Sequence, residues 1–257
     1  MEFLKVHTEG FIATISISRP PANALSSAVL KELSTVLDNL ENDDRVRAIV
    51  LHGEGRFFSA GADIKEFTTI ESLEKATELS IFGQEVMEKL EQFPKPVIAA
   101  IHGAALGGGL ELAMGCHIRL VTEDAKLGLP ELQLGLIPGF AGTQRLTRYA
   151  GFAKAAEMMW TGEPITGKEA VQLGLANRIV AEEHLLDEAR KLAGKIAQKS
   201  PISVRATIDL LNASKSKTFH EAVQLEAESF GKVFMCEDAR EGIQAFLEKR
   251  PAQFKGE

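Results

Sequence analysis

Two short apolar runs, "AIVL" in the stretch "RAIVLHG" and "VIAAI" in "KPVIAAIHG", show no alternation of polar and apolar residues. Strands that are apolar on both faces belong to parallel sheets covered on both sides. Each run is followed by a glycine-rich loop and then a helical pattern. Strand, loop and helix repeated in that order predict an α/β fold with functional loops at the strand ends. Other elements fit the same frame. "FIATISIS", Phe11 to Ser18, sets Ala13, Ile15 and Ile17 against Thr14, Ser16 and Ser18, and so predicts a half-buried strand. Pro20 and Pro21 stop it. Ser26 or Ser27 can cap a helix carrying Val29, Leu33, Val36, Leu37 and Leu40 at helical spacing. A second helical segment runs from about Ser72 to Gln92, "HIRLVTE" reads as a strand, and "TQRLTRYAG" and "FAKAAEMMWTG" read as helices that close near glycine.

Beyond about Glu182 the pattern is helical only. Leu185, Ala189, Leu192 and Ile196 form one apolar stripe, and Phe219, Val223, Phe230 and Phe234 form another. Ser200 followed by Pro201 predicts a cap with proline at the first helical position, and Asp238 with Glu241 fits a capping box. The chain therefore divides into residues 1–182, which hold the glycine-rich loops, and an amphipathic helical region, 183–257. Such a region either covers the core or forms an oligomer interface.

The 257 residues carry a net charge of −7, with 45% hydrophobic and 25% charged residues, as in ordinary globular proteins. That balance argues against nucleic acid as the main partner, since phosphate backbones require a basic face. The two cysteines, Cys116 and Cys236, form no CxxC and read as plain thiols of a reducing, cytoplasmic compartment. The N-terminus lacks a signal-peptide pattern. The most apolar stretch, Val97 to Leu106, has ten residues, too few to span a membrane.

Common chemical motifs fail at defined positions. Leu112 stands where a GxGxxG would need its last glycine, and Gly109 stands where a phosphate-binding loop needs lysine. Phe57 replaces the first glycine of a GxSxG around Ser59, and Gln224 replaces the second histidine of an HExxH at His220. No metal-ligand spacing and no redox cofactor site emerge. What remains is two loops, "SAGADIKE" (Ser59–Glu66) and "GAALGGGLE" (Gly103–Glu111), and two acids among apolar neighbours, Glu111 and Glu131. Glycines in such loops serve either tight strand–helix packing or close approach of a ligand to backbone N–H groups. Two N–H groups converging on one point make an oxyanion hole. An acid at a helix start can simply answer the helix dipole. Two carboxylates in apolar settings beside anion-stabilising loops suggest general acid–base work, because burial and a like charge both raise a carboxyl pKa.

The stretches "ISRPPANAL", "FFSAGADIKEF", "KPVIAAIHGAALGGGLELAMGCHIRL", "LGLPELQLGLIPGFAGTQRL", "TGEPITGKEAVQLGLANRIV" and "AFLEKRPAQFKGE" together resemble the crotonase superfamily, and within it enoyl-CoA hydratase, over essentially the whole chain. The resemblance implies a spiral of ββα units with a helical C-terminal region that mediates trimerisation, two trimers stacking into a hexamer. It implies an acyl-CoA thioester substrate, no cofactor and no metal. The amides of Ala62 and Gly108 would form the oxyanion hole. Glu111 would activate water for attack at Cβ and Glu131 would protonate Cα. Gly139 would position substrate or water through its backbone. Ala22, Ala60, Asp63, Ile64 and Lys65 would lie along the CoA moiety, and Phe246 and Lys249 would reach the CoA of a neighbouring subunit. The chain departs from the family pattern twice. No lysine precedes "NAL", which leaves Arg19 or Lys65 for the CoA phosphates. Phe140 and Ala141 stand where small residues or glycine are usual, so that Phe140 could narrow the acyl pocket.

Overall fold

The computed structural model describes all residues, 1–257. Along the chain lie β1 (Leu4–Glu9), β2 (Ile12–Ile17), α1 (Ser27–Glu41), β3 (Ala48–Gly53), α2 (Ile64–Phe67), α3 (Leu73–Glu91), β4 (Val97–Ile101), β5 (Ala104–Leu106), α4 (Gly108–Gly115), β6 (Ile118–Val121) and β7 (Lys126–Gly128). A short 3₁₀ turn, Glu131–Leu134, precedes α5 (Gly142–Thr161), β8 (Ile165–Thr166), α6 (Gly167–Gln172) and β9 (Arg178–Ile179). A second 3₁₀ turn, Glu182–His184, leads to α7 (Leu185–Ala197), α8 (Pro201–Ala213), α9 (Phe219–Phe234) and α10 (Glu237–Glu248). The main sheet has the order β1-β2-β3-β4-β6-β9, antiparallel only at the β1–β2 hairpin. A small sheet, β5-β7-β8, stands apart from it. The α/β architecture expected from the strand–loop–helix order is therefore present.

The unalternating runs are buried on both faces because two cores flank the sheet. Ile49, Leu51, Ala99 and Ile101 face a large core shared with α1, α3, α4 and α5. Ala48, Val50, Ile98 and Ala100 face a smaller core whose other half is α7. On α7 the buried positions are Leu185, Ala189, Ala193 and Ala197, four residues apart, so small side chains let the helix lie close to the sheet. Leu192 and Ile196, expected in that stripe, pack at its flank. α7 also changes the reading of β2. Thr14, on the face expected to be open, is buried, and its hydroxyl lies 3.3 Å from Nε of Arg190.

Local signals for helix ends hold well. Ser26, Ser72 and Ser200 each accept a backbone N–H as N-caps of α1, α3 and α8. Gly151, at φ 73°, breaks α5 into the two helices expected. Two expectations need correction. The second glycine-rich loop contains a strand, β5, and Gly108 and Gly109 already belong to α4. Asp238 and Glu241 form no capping box. The cap of α10 is Cys236, without a side-chain bond. The carboxylate of Asp238 instead accepts the amides of Lys255 (2.7 Å) and Gly256 (3.0 Å). Glu241 accepts Arg250 and the amide of Gln253. The returning C-terminal tail supplies donors that compete with the helix's own first turn. The edge strand β1 was not expected from the sequence. No helix is long and apolar enough to cross a membrane.

Candidate active site

The two glycine-rich loops meet. Residues 59–62 run as a ribbon between residues 22–25 and β5. The Ser59 amide donates to Ala104 O (3.1 Å), and Ser59 O accepts from Leu106 (3.1 Å). On the other edge, Ala60 donates to Ala22 O (2.9 Å), Leu25 donates to Gly61 O (2.8 Å) and Asp63 donates to Leu25 O (3.1 Å). The Gly61 carbonyl points to Leu25, and C=O and N–H of one trans peptide point opposite ways, so the Ala62 amide points to the β5 side. There β5 has already turned away at Gly107, whose φ of 52° and ψ of −128° swing the chain into α4. Gly108 is the first residue of that helix, where an amide has no intrahelical acceptor. Neither the Ala62 nor the Gly108 amide donates within the chain. They also lie side by side: a Cβ built on Gly108 would stand 3.4 Å from the Ala62 nitrogen, and one on Gly61 would stand 3.6 Å from the Gly108 nitrogen. A Cβ on Gly109 would meet Ser59 O at 2.3 Å, so the ribbon can approach α4 only over glycine. Ser59 is a brace, not a nucleophile. It is fully buried, and its hydroxyl donates to Asn23 O at 2.8 Å.

The two acids converge on this point. All residues of α4 are buried, and Glu111 in its first turn is only 1% exposed. Its Oε1 accepts the amides of Phe140 (2.8 Å) and Gly142 (2.7 Å), while Oε2 accepts nothing from the chain. Burial, and then the charge of Glu131, push the Glu111 carboxyl up to about 7, against the pull of those two amides and of Arg145. Glu131 opens the 3₁₀ turn. Its Oε1 would lie 3.0 Å from a Cβ on Gly107, and its Oε2 is buried without a partner. Burial raises its pKa as well.

The amides that hold Glu111 were not foreseen from the sequence. Ala141 sits at φ 69° and ψ 25°, a left-handed conformation that turns the amides on either side of it toward one oxygen. The loop is held from behind. Gly139 O accepts Ser80 Oγ (2.6 Å) and Gln84 Nε2 (3.0 Å), both from α3. Phe140 O accepts Nη1 of buried Arg145 (3.0 Å). Arg145 is itself paired with Glu91 at 2.8 Å, and Lys215 reaches the other oxygen of Glu91 at 2.6 Å. Burial disfavours the charge on Glu91, but Lys215 and Arg145 outweigh it and its pKa is lowered. The Gly139 carbonyl is thus occupied by α3, and the neighbouring amides face the acid. A left-handed alanine costs about 1–2 kcal/mol, less the roughly 0.4–1 kcal/mol by which glycine stabilises the unfolded chain. Ala141→Gly should therefore raise the melting temperature by about 2 °C. Thermal unfolding followed by circular dichroism checks this, and a fall would contradict it.

Ala22, Ala60, Ala62 and Asp63 lie together along the ribbon, and Ile64 and Lys65 start α2 beside it. Asp63 is committed to structure. It pairs with Arg19 at 2.5 Å and caps α2 through the Lys65 amide at 3.1 Å. Arg19 also donates to Ala24 O (3.0 Å). Of the two cations expected near phosphates, Arg19 is therefore engaged, and Lys65 is exposed without an ion pair. Phe246 and Lys249 are not brought to this pocket. They stand at the exposed end of α10, Phe246 being 81% exposed. Cys116 is buried and its thiol is pushed up to about 12 by desolvation, which makes it inert.

Two free amides beside two raised carboxyls fit reactions that build negative charge on an oxygen and move protons at neighbouring carbons. The family model described as enoyl-CoA hydratase/isomerase matches residues 7–257. A probable enoyl-CoA hydratase of Bacillus subtilis is 57% identical over the full length of both chains. A short-chain-enoyl-CoA hydratase of Clostridium acetobutylicum is 41% identical over 94% of this chain and 93% of its own. The crystal structure of an enoyl-CoA hydratase from Bacillus anthracis superposes with a TM-score of 0.94 at 38% identity, covering 99% of this chain and 100% of that one. With the model spanning nearly every residue, the chain belongs to the enoyl-CoA hydratase/isomerase family.

Proposed function

We propose that this chain is a hydro-lyase that adds water across the double bond of trans-2-enoyl-CoA to give 3-hydroxyacyl-CoA, in fatty-acid β-oxidation in the cytoplasm. The observation that carries the reading is the pairing of two unengaged amides, Ala62 and Gly108, with two desolvated acids, the buried Glu111 and the half-buried Glu131. In this reading the thioester carbonyl oxygen accepts both amides. A water held between the carboxyls gives a proton to the free Oε2 of Glu111 while its oxygen bonds to Cβ. The π electrons move to the thioester as an enolate, which the two N–H groups stabilise. The enolate then collapses by taking a proton from Glu131 at Cα. Proton exchange between the two acids restores the starting state. Donors fixed before the reaction favour the charge as it develops, and are worth roughly 3–4 kcal/mol each. Isomerisation needs only one acid, so the second carboxyl favours hydration over that alternative.

Ala22, Ala60, Asp63, Ile64 and Lys65 would line the CoA moiety, with Lys65 near its phosphates and Asp63 acting through its backbone. The exposed apolar residues Phe219, Phe230 and Phe234 of α9 and Ile243, Phe246 and Leu247 of α10 support trimers stacking into a hexamer. In such an assembly Phe246 and Lys249 would reach a neighbour's CoA.

Loss of the enoyl-thioester absorbance with crotonyl-CoA tests the activity. The base form of Glu111 is present above its pKa of about 7, so kcat/KM should fall as pH drops below that value. A folded protein that leaves crotonyl-CoA and longer enoyl-CoAs unchanged would exclude hydration.

A further inference from the structure

The ring of Phe140 occupies the space between the oxyanion pair and α3. It lies against Gly108: a Cβ there would stand 3.2 and 3.3 Å from two of its carbons. On its other side it sits on Gly83, where a Cβ would meet ring carbons at 2.1 Å. Gly83 is buried in the middle of a 19-residue helix, where glycine is otherwise unfavourable by about 1 kcal/mol. Ser80, Gly83 and Gln84 share one face of α3. That face receives the ring at Gly83 and ties down Gly139 O through the other two residues. The ring is 6% exposed, and its own main chain is fixed at N–H by Glu111 and at C=O by Arg145. Packed between Gly83 and Gly108 on a fixed main chain, the ring is a wall of the site.

We propose that Phe140, seated on Gly83, is the specificity-determining residue of this site and restricts the substrate to short acyl groups. The inference rests on the hydratase reading. With the carbonyl oxygen on the Ala62 and Gly108 amides, sulfur leads toward the ribbon of residues 60–65. The trans double bond then directs the rest of the acyl group the opposite way, across Gly108. Phe140 stands there. On this placement a crotonyl methyl would end before the ring, whereas each further methylene would have to displace it.

The test is a ladder of kcat/KM for crotonyl-CoA, trans-2-hexenoyl-CoA and trans-2-decenoyl-CoA. The wild type should prefer crotonyl-CoA. Phe140→Ala should raise the decenoyl-to-crotonyl ratio by about tenfold or more, within the range by which apolar pockets discriminate methylenes. Gly83→Ala, which touches neither acid nor amide, pushes the ring toward the site and should lower the hexenoyl-to-crotonyl ratio. Phe140→Leu, should Phe140→Ala fold poorly, should give an intermediate ratio. Unchanged ratios in Phe140→Ala or Phe140→Leu, with crotonyl-CoA still hydrated, would overturn the wall and leave the hydratase reading intact. A wild type inactive on every rung would overturn both.

Discussion

Replacing Glu111 or Glu131 by Gln should each lower kcat for crotonyl-CoA hydration by roughly 10²–10⁴, the usual contribution of a positioned acid or base. The two losses should not multiply. Both groups are proposed to act on one water, so the double variant should fall little further than the worse single one. Binding should survive, because the carbonyl is proposed to rest on main-chain amides that neither substitution touches. The measurement is single-turnover absorbance loss alongside binding of a saturated acyl-CoA. Retained kcat in either variant would remove that acid from the mechanism.

Glu111→Gln should also make the protein more stable at pH 8. The carboxyl rises from 4.5 to about 7 on folding, chiefly through burial and then through Glu131. The folded chain therefore holds more protons than the unfolded one between those values, and stability falls as pH rises through that window. Above it the full cost stays, about 3 kcal/mol on an order-of-magnitude scale. A glutamine oxygen can still accept the Phe140 and Gly142 amides and carries no charge, so most of that cost is relieved. For a chain of this length the gain corresponds to a melting temperature higher by roughly 5 °C at pH 8. It should shrink toward zero at pH 4, where the acid is mostly neutral in both states. A difference of the same size at both pH values would rule out the charge as its cause. The activity and stability of this one variant should thus move in opposite directions, as expected where a site keeps a destabilising group for its chemistry.

Much of this was legible along the chain, where causes are local. Ser26, Ser72 and Ser200 act on amides within three residues, so their sequences announce the helix starts. The runs at Ala48–Leu51 and Val97–Ile101 lack alternation because both their faces are covered. The proposed amide donors and acids also stood out, since glycines and carboxylates in apolar company are locally costly. What stayed hidden was long-range. The Glu111 acceptor is filled by amides 29 and 31 residues away, and nothing local marks an amide as a donor to a distant acid. Asp238 and Glu241 have the spacing of a cap, yet they serve a tail that returns from residues 250–256. Gly83 looks like a blemish in a helix until Phe140 is placed on it.

At Phe140 the main chain and the side chain have separate occupations. The N–H holds Glu111 and the C=O is held by Arg145, so the backbone is spoken for. The ring's fit depends on a partner, Gly83, on another helix. Replacement of Phe140 by another apolar residue other than proline therefore leaves both polar contacts of its main chain available and alters mainly volume. If the proposed wall sets acyl length, paired changes at 83 and 140 would shift that length while the main-chain hold on the acid stays in place.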